Sequence, residues 1–150
     1  MAEKIRTLIV DDEPLAREGI RMLLEPDSGF SIVAEAGNGA EAIEMIRLHH
    51  PDLVFLDIQM PGMNGFDVLK ALDGEPMPLI VFVTAYDSYA IRAFEVHAVD
   101  YVLKPVDPAR FQTSLERIKS DLQLRRGGAI TARMTALLEA LRREEVKIDT

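Results

Sequence analysis

Leu53-Val54-Phe55-Leu56 is an uninterrupted apolar run that ends in a carboxylate, Asp57. A strand with one wet face alternates apolar and polar residues, whereas four apolar residues in succession read as a strand buried on both faces. The pattern recurs on either side. Ile5 to Val10 is a short apolar run ending in Asp11-Asp12-Glu13, and Leu79 to Val83 is another, ending at Thr84. Phe30 to Ala36 and Tyr101-Val102-Leu103 read as two further strands, the last ending at Lys104-Pro105. Helical segments fill the gaps. Pro14 suits a first turn ahead of Ala16, Ile20 and Leu23, and Asn38 caps a helix carrying Ala42, Ile43 and Ile46. The Gly62 to Gly65 loop leads to Phe66, Leu69 and Leu72. A weaker helix is expected over Asp87 to Val96, and Asp107 opens a long one with Phe111, Leu115, Ile118 and Leu122. Five strands alternating with five helices predict an α/β fold, a parallel sheet covered on both faces, because parallel strands need crossover helices.

The 150 residues suit one globular domain with a short appendage. There is no cysteine, which excludes disulfides, zinc thiolates and cysteine nucleophiles. No apolar run approaches the ~20 residues a membrane span needs, and the start lacks a secretion signal, so a cytoplasmic protein without a membrane role is expected. The net charge of −8 argues against this chain alone gripping a phosphate backbone. After Gly127-Gly128 the character changes: Ile130, Met134, Leu137, Leu138 and Leu141 form an apolar stripe. The expected division is 1–124 for the sheet domain and 125–150 for a linker and amphipathic helix. That helix folds back, pairs with a second copy, or begins a linker, and the stripe alone does not choose.

In an open parallel sheet, ligands bind beyond the carboxyl ends of the strands. At those ends stand Asp11 and Asp12, Asp57, Thr84 and Lys104. One aspartate at a strand end is an ordinary helix cap, but four chemically matched strand ends are a site. Two carboxylates ~4 Å apart repel by roughly 4 kcal/mol at an effective dielectric of 20, and one lysine cannot offset three such pairs. A divalent cation can. An all-oxygen donor set favours magnesium, with manganese as the alternative, over zinc. Asp57 is then the natural nucleophile for a phosphoryl group, with Asp11 and Asp12 holding the metal and the Gln59 backbone carbonyl completing its shell. Lys104 and the Thr84 hydroxyl would stabilise the transferring charge.

The segments Leu8-Ile9-Val10-Asp11-Asp12-Glu13-Pro14, Asp57 to Gly65, Thr84-Ala85 and Lys104-Pro105 resemble the receiver domains of bacterial two-component response regulators, over about residues 4 to 123. The resemblance implies a flavodoxin-like (CheY-like) sheet of order 2-1-3-4-5, phosphotransfer from a sensor histidine kinase to Asp57, magnesium dependence and a cis peptide between Lys104 and Pro105. It implies no enzyme beyond the domain's own phosphorylation and dephosphorylation. It further implies a switch in which Thr84 moves to the phosphoryl group and Tyr101 turns inward, reshaping the face of helix 4, strand 5 and helix 5. Homodimerisation on phosphorylation is expected through that face. The stretch Thr84 to Val96 with Ala98-Val99-Asp100-Tyr101 looks like receivers coupled to a LytTR-type DNA-binding domain, which would lie beyond residue 150 and regulate transcription. The alternative is a receiver acting alone through protein contacts.

The bland readings are few. The bland reading of Tyr101 is a half-buried strand residue that never moves, and Tyr86, Tyr89 and Phe94 read as either a partner surface or a core stripe. His49, His50 and His97 lack ligand spacing, so the phosphodonor histidine is expected on another protein. A haloacid-dehalogenase-like phosphatase would carry its nucleophile after the first strand, two residues from a second aspartate. A flavin phosphate would be repelled by Asp11-Asp12-Glu13.

Overall fold

The structure, a computed structural model, describes residues 3–126 and 137–141. Its strands are β1 (Ile5–Val10), β2 (Phe30–Ala36), β3 (Leu53–Leu56), β4 (Leu79–Thr84) and β5 (Asp100–Leu103). They alternate with α1 (Pro14–Leu24), α2 (Gly39–His49), α3 (Gly65–Ala71), α4 (Ala90–Glu95) and α5 (Pro108–Arg126). Every pairing is parallel, in the order β2-β1-β3-β4-β5. This is the expected α/β architecture. Among the described residues no helix is long and apolar enough to cross a membrane.

The central strands earn their position by composition. β1, β3 and β4 are buried along nearly their whole length, so each successive side chain enters one of two cores. Leu8, Val10, Val54, Leu56 and Phe82 share a cluster with Ala42 and Ile46 of α2 and Phe66 and Val68 of α3. On the other side, Phe55 stacks on Phe111 of α5 with ring centroids 5.4 Å apart. Each such buried side chain contributes about 1.5–3 kcal/mol. Local signals set the ends: Asn38 accepts from the Glu41 amide at 2.8 Å, Asn64 and Asp67 form a reciprocal capping box, and Asp107 accepts from the Arg110 amide at 3.0 Å.

One boundary differs from the sequence reading. α4 begins at Ala90 rather than Asp87, because Asp87 and Ser88 favour turns and no side chain caps its first turn. The chain divides into two compact units inside α5, Met1–Ile118 and Lys119–Thr150. Of the expected C-terminal helix, residues 137–141 are helical with Leu137, Leu138 and Leu141 exposed; Ile130 and Met134 lie outside the described residues.

Asp100 joins β5 to α5. Its buried carboxylate accepts two bonds from Arg110 at 2.8 and 2.7 Å, one from Arg117 at 2.9 Å and one from the Tyr101 amide at 2.9 Å. Burial pushes its pKa up, but the hydrogen bonds from Arg110 and the Tyr101 amide outweigh it and the net shift is downward. A carboxyl with a depressed folded value contributes stability above its unfolded value of about 3.9 and loses it as pH falls through the folded one. Asp100→Asn is therefore expected to cost about 1–2 kcal/mol at pH 7, discounted because both arginines are partly exposed. Urea unfolding at pH 7 and pH 3 checks this: the deficit shrinks at the lower pH.

Candidate functional site

The crossover topology delivers β1, β3, β4 and β5 to one sheet edge with their carboxyl ends together, and the polar residues at those ends meet there. Asp11 follows β1, its amide donating to the Ala36 carbonyl at 3.1 Å. Asp57 follows β3, its amide donating to the Val10 carbonyl at 3.0 Å. Both are buried, at 1% and 5% exposure, while Asp12 is half-buried. Ligand oxygens of Asp11, Asp12 and Asp57 all lie within 4.8 Å of one another.

Lys104, after β5, supplies the facing cation. Its Nζ donates to Asp11 Oδ2 at 2.6 Å and to Asp57 Oδ2 at 3.2 Å. The Lys104 amide donates to the Thr84 carbonyl at 2.8 Å, and the Lys104–Pro105 peptide is cis. Each aspartate also accepts a backbone amide: Glu13 to Asp11 at 3.0 Å, and Ile58 to Asp57 at 2.7 Å. Burial nevertheless pushes the Asp57 carboxyl above its ordinary range. The Lys104 charge opposes this, the Asp11 charge adds to it, and hydrogen bonds from Lys104 and Thr84 fall short of cancelling it. Burial alone would lower Lys104, but the hydrogen bond to Asp11 and the charges of Asp57 and Asp11 carry its ammonium upward. A single lysine thus leaves the cluster short of positive charge.

Gly65 shows how tightly the loop after β3 wraps the site. A Cβ there would stand 2.7 Å from the Asp57 carbonyl oxygen and 3.2 Å from the Ile58 Cα, so any side chain would displace the backbone of Asp57. Gly62 takes φ +84°, a left-handed conformation that favours glycine.

Thr84 is fully buried at the end of β4, and its hydroxyl faces the Tyr86 amide at 3.5 Å. Tyr101 is half-buried on β5, its ring 6.3 Å from that of Phe82 and its hydroxyl donating to the Tyr86 carbonyl. Gln59 lines the cavity above Asp57 with Asp12, Met60, Tyr86 and Lys104. The three aromatics after β4 part company. Tyr89 packs inward on Phe66, with ring centroids 6.0 Å apart, whereas Phe94 is 82% exposed and Tyr86 is exposed. His50 and His97 stand outside the site on left-handed backbone, with φ 45° and 61°.

Two side chains at the site make contacts that escape the sequence reading. Arg17 donates to the Asp11 carbonyl at 2.6 Å and reaches Glu35 of β2 at 3.3 Å, so it ties the end of β1 to α1. Its place one turn into α1 is the only sequence signal. Gln59 Nε2 donates to the Tyr89 hydroxyl at 2.9 Å, and nothing in the local pattern announces that pair.

A carboxylate cluster and a lysine on the carboxyl edge of a 2-1-3-4-5 sheet define a class, and the comparisons agree with it. Residues 7–116 match the model of the response regulator receiver domain, and the chain belongs to that family. It is 55% identical over 118 residues to a response regulatory protein of Yersinia pestis, covering 79% of this chain and 50% of that one. It is 50% identical over 117 residues to the transcriptional regulatory protein BtsR of Escherichia coli, covering 78% of this chain and 49% of that one. The chain thus spans about half the length of the curated relatives it matches. Among solved structures, the receiver domain of the response regulator AraT from Geobacillus stearothermophilus superposes with a TM-score of 0.74 at 36% identity, over 81% of this chain and 97% of that one. A chain of the CheX–CheY–BeF3–Mg complex from Borrelia burgdorferi gives 0.69 at 26% identity, over 80% of this chain and 90% of that one. Receiver domains generally bind magnesium and take part in exchanges with histidine kinases, and the donor set fits that ion: three clustered carboxylates, all oxygen, no histidine.

Proposed function

We propose that Asp57 accepts a phosphoryl group from the phosphohistidine of a sensor histidine kinase. The observation that carries this reading is a buried carboxylate with Lys104 Nζ at 3.2 Å and two further carboxylates within 4.8 Å. In the transfer the phosphorus–nitrogen bond breaks, its electron pair returns to the imidazole, and an Asp57 oxygen bonds phosphorus. Asp11, Asp12, Asp57 and the Gln59 carbonyl are the residues that would hold magnesium, or manganese. When bound, the ion neutralises phosphoryl oxygens. Lys104 neutralises another and stays protonated throughout, and the Thr84 hydroxyl donates to a third. The domain performs only its own phosphorylation and dephosphorylation. Incubation with a small acyl phosphate, with and without magnesium, tests the reading by intact mass. One magnesium-dependent phosphoryl adduct is expected, and no adduct on folded protein would sink it.

The phosphoryl group adds about −1.5 to −2 charges at Asp57. Movement of Thr84 toward it frees the space Tyr101 needs to turn in, which changes the face of α4, β5 and α5. Ile91, Phe94, Val96 and Leu103 are exposed there, at 78%, 82%, 40% and 45%. An exposed apolar set of this kind suits pairing with a second copy. Phosphorylation is expected to double the mass seen by light scattering, and Phe94→Asp to prevent it; an unchanged monomer mass after phosphorylation would count against the dimer.

The output we assign is transcriptional, through a LytTR-type DNA-binding domain following this segment. The lengths of the relatives leave room for one, and the name of BtsR states transcriptional regulation. The exposed face on α4 also suits the second reading, a receiver acting through protein contacts alone. A cytoplasmic site of action follows from either.

A further inference from the structure

We infer that Tyr89 is a positioning residue that sets how long the phosphoryl group survives on Asp57, by holding the Gln59 side chain. The inference rests on Asp57 being the phosphoacceptor, and neither the transfer nor the Tyr101 switch uses Tyr89.

Gln59 stands two residues beyond Asp57 and lines the cavity above it. Its side chain is exposed and meets one described partner, the Tyr89 hydroxyl, which accepts from Nε2 at 2.9 Å. Tyr89 is itself fixed. Its ring lies 6.0 Å from Phe66 and 6.4 Å, edge-on, from Tyr86, and Phe66 is held from one side by Phe82 at 5.0 Å and covered by the Arg92 guanidinium at 4.2 Å. An exposed carboxamide on the mouth of the site is thereby anchored to a packed aromatic cluster.

Loss of the phosphoryl group is a hydrolysis. A water oxygen bonds phosphorus, the bond from phosphorus to the Asp57 oxygen breaks with its electron pair returning to the carboxylate, and the water's two hydrogens leave on inorganic phosphate. Water must reach phosphorus opposite that bond, and a glutamine carboxamide near a phosphoryl group is suited to orient such a water. Anchored to Tyr89, Gln59 narrows the mouth and has one donor committed elsewhere. Released, it uncovers the mouth and regains the donor. Both effects act in one direction.

Tyr89→Phe keeps the ring and removes only the acceptor. On protein phosphorylated with acetyl phosphate and magnesium and then freed of donor, the adduct is expected to decay about three- to tenfold faster, the range one neutral hydrogen bond supports. The same substitution in a Gln59→Ala background is expected to change the decay by less than about twofold. Thermal melting of both singles is expected to match wild type within about a degree or two, as for surface substitutions. Unchanged decay in Tyr89→Phe, or equal acceleration with and without Gln59, would overturn the inference. Absence of any adduct on wild type would instead sink the phosphoacceptor reading itself.

Discussion

Asp57→Asn is expected to take no phosphoryl adduct and, in metal-free buffer at pH 7, to unfold later than wild type. The two results come from one cause. Asp57 is buried, Asp11 lies beside it, and its pKa is raised. A carboxyl whose folded value exceeds its unfolded one favours folding while protonated, so its contribution is present below the unfolded value and is lost as pH rises through the folded one. At pH 7 the ionised carboxylate is therefore a cost that only metal or phosphoryl chemistry justifies. The carboxamide keeps an acceptor for Lys104, carries no charge and cannot form an acyl phosphate. The gain is about 1–2 kcal/mol, the scale of one undercompensated buried group, or a few degrees in melting temperature. It should shrink on adding magnesium, which would stabilise wild type by binding the folded state, and shrink again near pH 4. An adduct persisting on Asp57→Asn would place the acceptor elsewhere. A variant no more stable than wild type without metal would mean the carboxylate is already compensated.

The strand ends were legible in the sequence because three constraints coincide there. A strand buried on both faces has to be an apolar run, such a run has to end where the sheet ends, and the first polar residue after it faces the crevice. Leu53 to Asp57 states all three in five residues. The helices were legible where a cap and a stripe agreed, as at Asn38. α4 was not, since Asp87 and Ser88 compete for the backbone and its exposed Ile91 and Phe94 blur the periodicity. The anchors around the site were invisible for a different reason. Arg17 on the Asp11 carbonyl, Arg110 and Arg117 on Asp100, and Gln59 on Tyr89 each join elements through one long side chain. Such contacts have no period, and only the folded register brings their ends within reach.

Lys104→Met separates the two cations the site calls for. The methionine retains most of the aliphatic stem, which lines a cavity with Ala16, Val83 and Pro105, and removes the ammonium. Without metal, Asp11 and Asp57 then face each other with no counter-charge. Breaking a buried pair by removing one partner costs about 3–5 kcal/mol. Lys104 is 22% exposed, so solvent screening brings the expected loss nearer 2–3 kcal/mol. The raised lysine value fixes the pH range: the contribution is complete below the unfolded value of about 10.4 and disappears only as pH rises through the folded one, so it is whole at pH 7. Magnesium should restore more stability to the variant than to wild type, because the ion no longer shares the carboxylates with an ammonium. Chemistry should not recover with it. Lys104 is the only described cation the site can aim at a phosphoryl oxygen from β5, and losing one such preorganised group slows transfer by about 10²–10³. Melting across a magnesium titration, paired with the rate of adduct formation from acetyl phosphate, measures both. A variant that melts like wild type without metal and gains no more from magnesium would show that lysine does not hold the carboxylates together. One that regains its full rate with the ion would show that metal alone carries the transfer.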